Sequence, residues 1–288
     1  MRFVRSLRRD AAGYAWLWQG KKTRTVKTLA LDTGAYFAEI TAGMRGVICF
    51  SATMEPLPAM KRLLGADEQD ACFAMPSPFP RENLLVIQRD IDTRYANRAA
   101  ACGPIAEIVK AMVAAHPGRY IVFFPSFAML RMVEEKLELP HQTQTGEMSL
   151  TEREAFLAPY RVAEEPVLSL CVLGGIFSEG IDLPGRCLDG VCIVGVGLPQ
   201  VNLVQDTLRA WYQEKLGDGF GYAYRLPGMQ KVAQAAGRVI RTKTDRGLVL
   251  LLDDRYKLNA YRRMLPEHWQ IHWQGDLNLM ARFWEGSP

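Results

Sequence analysis

No stretch of eighteen consecutive apolar residues occurs in this 288-residue chain, which excludes a membrane-spanning helix of ordinary length. No two cysteines are spaced as C-x-x-C. The six cysteines stand at 49, 72, 102, 171, 187 and 192, and the closest pair, Cys187 and Cys192, has no third ligand nearby. A secreted disulfide framework, a cysteine-built metal site and an iron–sulfur cluster within the chain are therefore not expected, and a reducing cytoplasm is the default. Cys49, Cys171 and Cys192 lie inside apolar runs and read as small core residues. His268 and His272 in "HWQIH" share a face if that segment is a strand, but they lack both a third ligand and an intervening glutamate. The opening "MRFVRSLRRDAAGYAWLWQGKK" lacks a small-residue cleavage pattern and reads as structure rather than as a targeting segment. A strong overall charge is absent too. The net charge is +4, of which residues 1–27 carry +7 and the remainder −3. A basic arm of this kind suits phosphate contact and suits a solvated surface equally well.

What is present is a regular alternation of short apolar runs and helix-period segments. "RTVKTLAL" and "GVICF" read as strands, with a helix between them around "TGAYFAEITAG". "PLPAMKRLLG" reads as a short helix stopped by Gly65. Prolines at 76, 78 and 80 then interrupt any regular element and mark a hinge. Beyond it, "LLVIQ", "RYIVFF", "VLSLCVL", "GVCIVGVG" and "GLVLLL" read as strands. Helices are expected over 97–115, "FAMLRMVEEKLE", "SLTEREAFLAPY", "NLVQDTLRAWYQEKL", "GMQKVAQAAGRVI" and "DDRYKLNAYRRML". Ser149 and Glu152 have capping-box spacing. The expectation is an α/β fold in three parts: a segment over 1–75, a hinge over 76–83, and a doubly wound parallel sheet over 84–288. Ligands of such sheets lie beyond the carboxyl ends of the strands.

Four segments carry chemical interest, three of them after strands and the fourth on the helix before "GLVLLL". "SATMEP" supplies Ser51 and Thr53, which suit helix capping as well as function. "PSF" supplies Ser126 and Phe127 after an apolar strand that ends in Phe123 and Phe124, of which at least one belongs to the core. "GGIFSEGIDLPG" combines Gly174, Gly175, Gly180 and Gly185 with Ser178, Glu179 and Asp182. Close backbone approach and two carboxylates in one short loop point to a ligand more than to a plain turn. In "QAAGRVIR", a continuous helix would put Gln234, Arg238 and Arg241 on one face, with Gln230 extending it. Met229, Val232, Ala233, Ala236 and Ile240 would then form the core stripe, and Gly237 would open the backbone beside Arg238. Guanidinium forks match phosphate oxygens, so this face reads as phosphate-directed. "GVGLP" lacks the complete G-x-G-x-x-G pattern of dinucleotide folds.

In this order the segments resemble the DinG/XPD-type DNA helicases of superfamily 2. "SATM" is similar to motif III, "VFFPSF" to motif IV, "GGIFSEGIDLPG" to motif V and "QAAGRVIR" to motif VI, with the pattern Q-x-x-G-R-x-x-R. The "SPFPREN" hinge and "DDRY" fit the same group, so the resemblance runs from about residue 25 to 270. It implies a RecA-like second motor domain preceded by an incomplete piece of the first. The activity implied is ATP hydrolysis with Mg2+, coupled to movement on single-stranded DNA with 5′-to-3′ polarity, in DNA repair or replication. It implies that Arg238 and Arg241 reach the phosphates while Gln234 orders the site. Asp182, Gly180, Glu179 and Gly237 would line the nucleotide cleft, and Ser51, Thr53, Ser126 and Ser178 would couple nucleotide state to DNA.

The chain also departs from that group. It contains neither a G-x-x-x-x-G-K-[ST] phosphate loop nor a D-E-x-H acidic box. Alone it is therefore expected to be inactive, with an N-terminal motor half, on the same polypeptide or a separate subunit, as its partner beside single-stranded DNA. The alternative expectation is a non-catalytic nucleic-acid-binding or interaction module that retains the helicase fold.

Overall fold

The computed structural model describes residues 13–20, 25–161, 165–177 and 188–286. In chain order the strands and helices are β1 (Tyr14–Gln19), β2 (Thr25–Ala30), α1 (Thr33–Thr41), α2 (Leu57–Leu63), β3 (Leu84–Arg89), α3 (Arg98–Ala115), β4 (Arg119–Phe124), α4 (Phe127–Glu134), β5 (Gln142–Thr143), α5 (Leu150–Arg161), β6 (Val167–Val172), β7 (Gly190–Val194), α6 (Leu203–Leu216), α7 (Leu226–Ala236), β8 (Gly247–Leu252), α8 (Asn259–Arg262), β9 (Ile271–Trp273) and α9 (Asn278–Glu285). They form two compact units, one of residues 1–75 with 199–227, the other of residues 76–198 with 228–288. The expected continuous domain over 84–288 is thus interrupted: α6 and the π-helical turn Gly221–Arg225 group with the N-terminal segment.

In the smaller unit, β1 and β2 pair as an antiparallel hairpin. Asp32 caps α1 by accepting the Ala35 N–H at 2.8 Å. Helices α1 and α2 meet through glycine, because a Cβ on Gly34 would stand 2.6 Å from the Arg62 carbonyl. "GVICF" is not a strand here. Residues 46–50 pair with no neighbour among the described residues, and Ile48 and Phe50 are each 88% exposed. Its β-branched and aromatic content marks a buried strand, but no sheet covers it, and Cys49 is exposed rather than core for the same reason.

The larger unit is built on a seven-stranded sheet in the order β5-β6-β4-β7-β8-β3-β9, every pairing parallel. The strands are apolar on both faces because both faces are covered. Tyr120, Val122 and Phe124 of β4, with Leu248, Leu250 and Leu252 of β8, pack into one core with α3, α4 and α9. Their alternates Ile121, Phe123, Val249 and Leu251 pack into the other with α5 and α7. Phe123 and Phe124 are both fully buried. The capping box at the start of α5 forms: the Ser149 N–H and hydroxyl donate to the Glu152 carboxylate at 2.6 and 2.7 Å. These bonds hold the Glu152 carboxyl below its usual range.

The start of α7 is seated on the exit of β7 by two glycines. Gly197 has φ +65°, and a Cβ on Gly228 would lie 2.6 Å from the Val196 carbonyl. "GVGLP" is therefore a helix-packing turn. Gly228→Ala should destabilise the chain by about 1–3 kcal/mol, because backbone rather than a movable side chain meets the methyl. A shift of the urea midpoint with an unchanged slope checks this.

Candidate functional site

Because every strand pairing in the larger sheet is parallel, its carboxyl ends line one edge. The loops there interlock. The Leu173 N–H donates to the Phe124 carbonyl at 2.8 Å, the Gly195 N–H to Leu252 at 3.0 Å, and the Tyr256 hydroxyl to Gly195 at 2.7 Å. Beside them lies a charged network after β3 and β8. Asp253, fully buried, accepts from Thr93 and, at 2.8 Å each, from the backbone N–H, Nε and Nη2 of Arg255. Arg94 donates to Asp254 and Asp92 at 2.9 Å. The Asp92 carboxyl is lowered to about 2, chiefly by the Arg94 backbone N–H, then by the Asn97 and Arg94 side chains. Its contribution to stability is present above the ordinary carboxylate range and is lost as the pH falls towards 2.

The glycine loop after β6 opens with Gly174 at φ +78°. It is braced by buried Gln144, whose Oε1 accepts the Val172 N–H at 2.9 Å and whose amide stands 3.0 Å from where a Cβ of Gly175 would lie. Ser178, Glu179, Gly180, Asp182 and Gly185 lie outside the described residues.

Helix α7 ends at Ala236, which corrects the expectation of one continuous helix through Arg241. Met229, Val232, Ala235 and Ala236 are buried against the sheet, and Gln234 is exposed. Gly237 still bonds back to the Ala233 carbonyl at 2.9 Å, but the Arg238 and Val239 N–H groups reach only three residues back, to Ala235 and Ala236. That tightening turns the chain off the helix. Arg238 therefore sits on the turn and Arg241 beyond it, exposed. Buried Asp245 fixes the end of this turn, its Oδ2 accepting the Arg241 and Thr242 N–H groups at 2.8 and 2.7 Å. Sequence reasoning missed Asp245 and Gln144. The spacing of Arg241 and Asp245 was a signal for the first, since a short acidic side chain a few residues on commonly closes such a turn.

Ser126 is the N-cap of α4, its Oγ accepting the Met129 N–H at 3.3 Å. Ser126→Ala should cost about 0.5–2 kcal/mol of stability. Thermal melting measures this, and an unchanged midpoint would show the cap to be dispensable. In the smaller unit, Ser51 and Thr53 form a local turn, with the Thr53 N–H donating to the Ser51 Oγ at 3.2 Å. Ser51 does not cap α2, whose N-cap is Pro56. His272 lies in β9 while His268 precedes it, so the two do not share a strand face. Cys171 and Cys192 are buried, and burial pushes both thiols up. No described helix is long and apolar enough to cross a membrane.

The sequence profile of the Helicase C-terminal domain family matches residues 109–272. Curated proteins similar to the chain include the ATP-dependent DNA helicase chl-1 of Caenorhabditis elegans, 26% identical over 86% of this chain and 32% of that protein. The ATP-dependent DNA helicase DDX11 of Danio rerio is 26% identical over 84% of this chain and 32% of that protein. The chain thus spans about a third of the length of these relatives. Among solved structures, one titled "XPD_APO" superposes with a TM-score of 0.68 at 20% identity, covering 94% of this chain and 56% of that one. A second, "XPD_Helicase", gives 0.67 at 18% identity, covering 94% and 49%. These likenesses establish the RecA-like fold.

Proposed function

The chain belongs to the helicase C-terminal domain family, and from that premise we propose that it is the second motor half of an ATP-dependent DNA helicase. In this reading it supplies the arginine side of the ATP cleft and part of the groove for single-stranded DNA. Residues 1–75 are the end of the first motor domain, with 76–83 as the hinge. The observation that carries the reading is the turn after α7. It leads into the amino end of β8, where buried Asp245 clamps the backbone of Arg241 and leaves its side chain exposed. Two arginines on a braced turn, with Gln234 exposed before them, suit the triphosphate of ATP, whose charge they would neutralise.

The exposed apolar stretch with Ile48 and Phe50 supports the reading of residues 1–75 as part of a larger sheet. Magnesium and the β- and γ-phosphates would be held by a phosphate loop and acidic box on another motor half. Asp182, Gly180 and Glu179 are proposed nucleotide-side residues; Ser178, Ser51 and Thr53 are proposed to couple nucleotide state to DNA, with 5′-to-3′ movement. Ser126 keeps that proposal only through its backbone neighbourhood, since its hydroxyl serves the cap.

The test is ATP hydrolysis by the chain alone and after addition of a motor half bearing the phosphate loop. No turnover alone and turnover stimulated by single-stranded DNA in the complemented enzyme are expected. Hydrolysis by the chain alone, or complemented turnover indifferent to DNA, would contradict the proposal.

A further inference from the structure

One cation at the carboxyl edge belongs to none of the motifs. Lys231 lies on α7 three residues before Gln234, so the two share a helix face. Its side chain is only partly exposed and is laid across the glycine loop. The Cδ, Cε and Nζ atoms stand 3.1, 3.0 and 2.8 Å from where a Cβ of Gly174 would be. Any side chain at 174 would displace the lysine tail, and the φ of +78° there already favours glycine. The ammonium has no hydrogen bond or ion pair with the described residues.

A solvated lysine keeps its head in water and its rotamers free. This one is confined and partly desolvated without an acceptor among the described residues, next to the glycine loop and on the same helix face as exposed Gln234. Confinement of that kind costs side-chain entropy, which a bound anion can offset.

We propose that Lys231 is a phosphate-binding residue, its ammonium held over Gly174 to donate to one phosphate oxygen at this edge. The oxygen comes either from a nucleotide or from the backbone of single-stranded DNA. The inference rests on the motor-half reading and adds to it a third cation, on α7 itself.

The experiment uses the full chain, with inorganic pyrophosphate as the nucleotide-type probe and an oligodeoxythymidylate as the DNA-type probe. Binding is followed by heteronuclear resonances of Gly174 and the Lys231 side chain. In the parent chain at least one probe shifts both. Lys231→Met weakens that probe about tenfold, while Lys231→Arg retains most of the affinity. If the source is DNA, the log–log dependence of affinity on salt also becomes shallower by about 1. Gly174→Ala keeps the ammonium but puts a methyl where its tail lies, and loses affinity as Lys231→Met does. A merely structural lysine would lower the melting temperature and leave affinity per folded molecule and the salt slope unchanged.

The proposal is overturned if neither probe shifts these resonances, or if Lys231→Met binds both probes as the parent does. Arg241→Ala in the complemented enzyme separates the two claims. A loss of turnover there with a silent Lys231→Met removes this inference alone, and a silent Arg241→Ala removes the motor-half reading.

Discussion

Asp253→Ala is expected to destabilise the chain by about 3–5 kcal/mol, the cost typical of removing one partner from a buried ion pair. Asp253 is fully buried, and the side chain of Arg255 is only 15% exposed. Four donors converge on this carboxylate: the Thr93 hydroxyl and the backbone N–H, Nε and Nη2 of Arg255. Alanine would leave a guanidinium and a hydroxyl in a site that excludes water. The effect should spread, because the Asp253 carbonyl also accepts from Gln88 at 2.9 Å and Tyr256, three residues on, ties the turn to Gly195. Asp253→Asn keeps acceptors for part of this set and should lose less. Urea unfolding with an unchanged slope measures both, and a loss below about 1 kcal/mol for the alanine variant would show that Arg255 finds a new partner.

The parallel sheet was legible because its strands are continuous runs such as "RYIVFF" and "GLVLLL", too short for helices and separated by helix-period segments. Phe123 and Phe124 illustrate the limit of periodicity: with both faces covered, neighbouring residues can both be core. "GVICF" misled, since composition reports what a strand could bury and not whether a neighbouring sheet is at hand. The end of α7 was hidden because Val239 and Ile240 continue an apolar helical pattern after Gly237. The helix ends where the Arg238 and Val239 N–H groups reach only three residues back, and Asp245 then holds the turn by accepting N–H groups from Arg241 and Thr242. The grouping of α6 with residues 1–75 depends on tertiary contacts that no local pattern encodes. The polar residues of motifs V and VI were singled out from type and spacing, but Lys231 was not, because a lone lysine on a helix has no signature until Gly174 is seen beneath it.

Arg241→Ala and Arg238→Ala should each lower turnover of the complemented enzyme by roughly 10³- to 10⁵-fold, the worth of an arginine at a transferring phosphoryl group. That is about 4–7 kcal/mol of barrier at 1.36 kcal/mol per decade. Arg241 is exposed, and reading turnover per folded molecule separates a catalytic loss from lost structure. Lysine should not substitute well at either position, since it cannot present a planar fork. Asp245→Ala should act in the same direction and more weakly, because it frees the backbone of the turn without removing a charge.

The most direct test is DNA-stimulated ATP turnover per folded molecule, comparing the parent with Arg241→Ala in the complemented enzyme. The account predicts a loss of at least roughly a thousandfold with DNA binding largely retained. Turnover within a few-fold of the parent would contradict a phosphate-facing role for "QAAGRVIR".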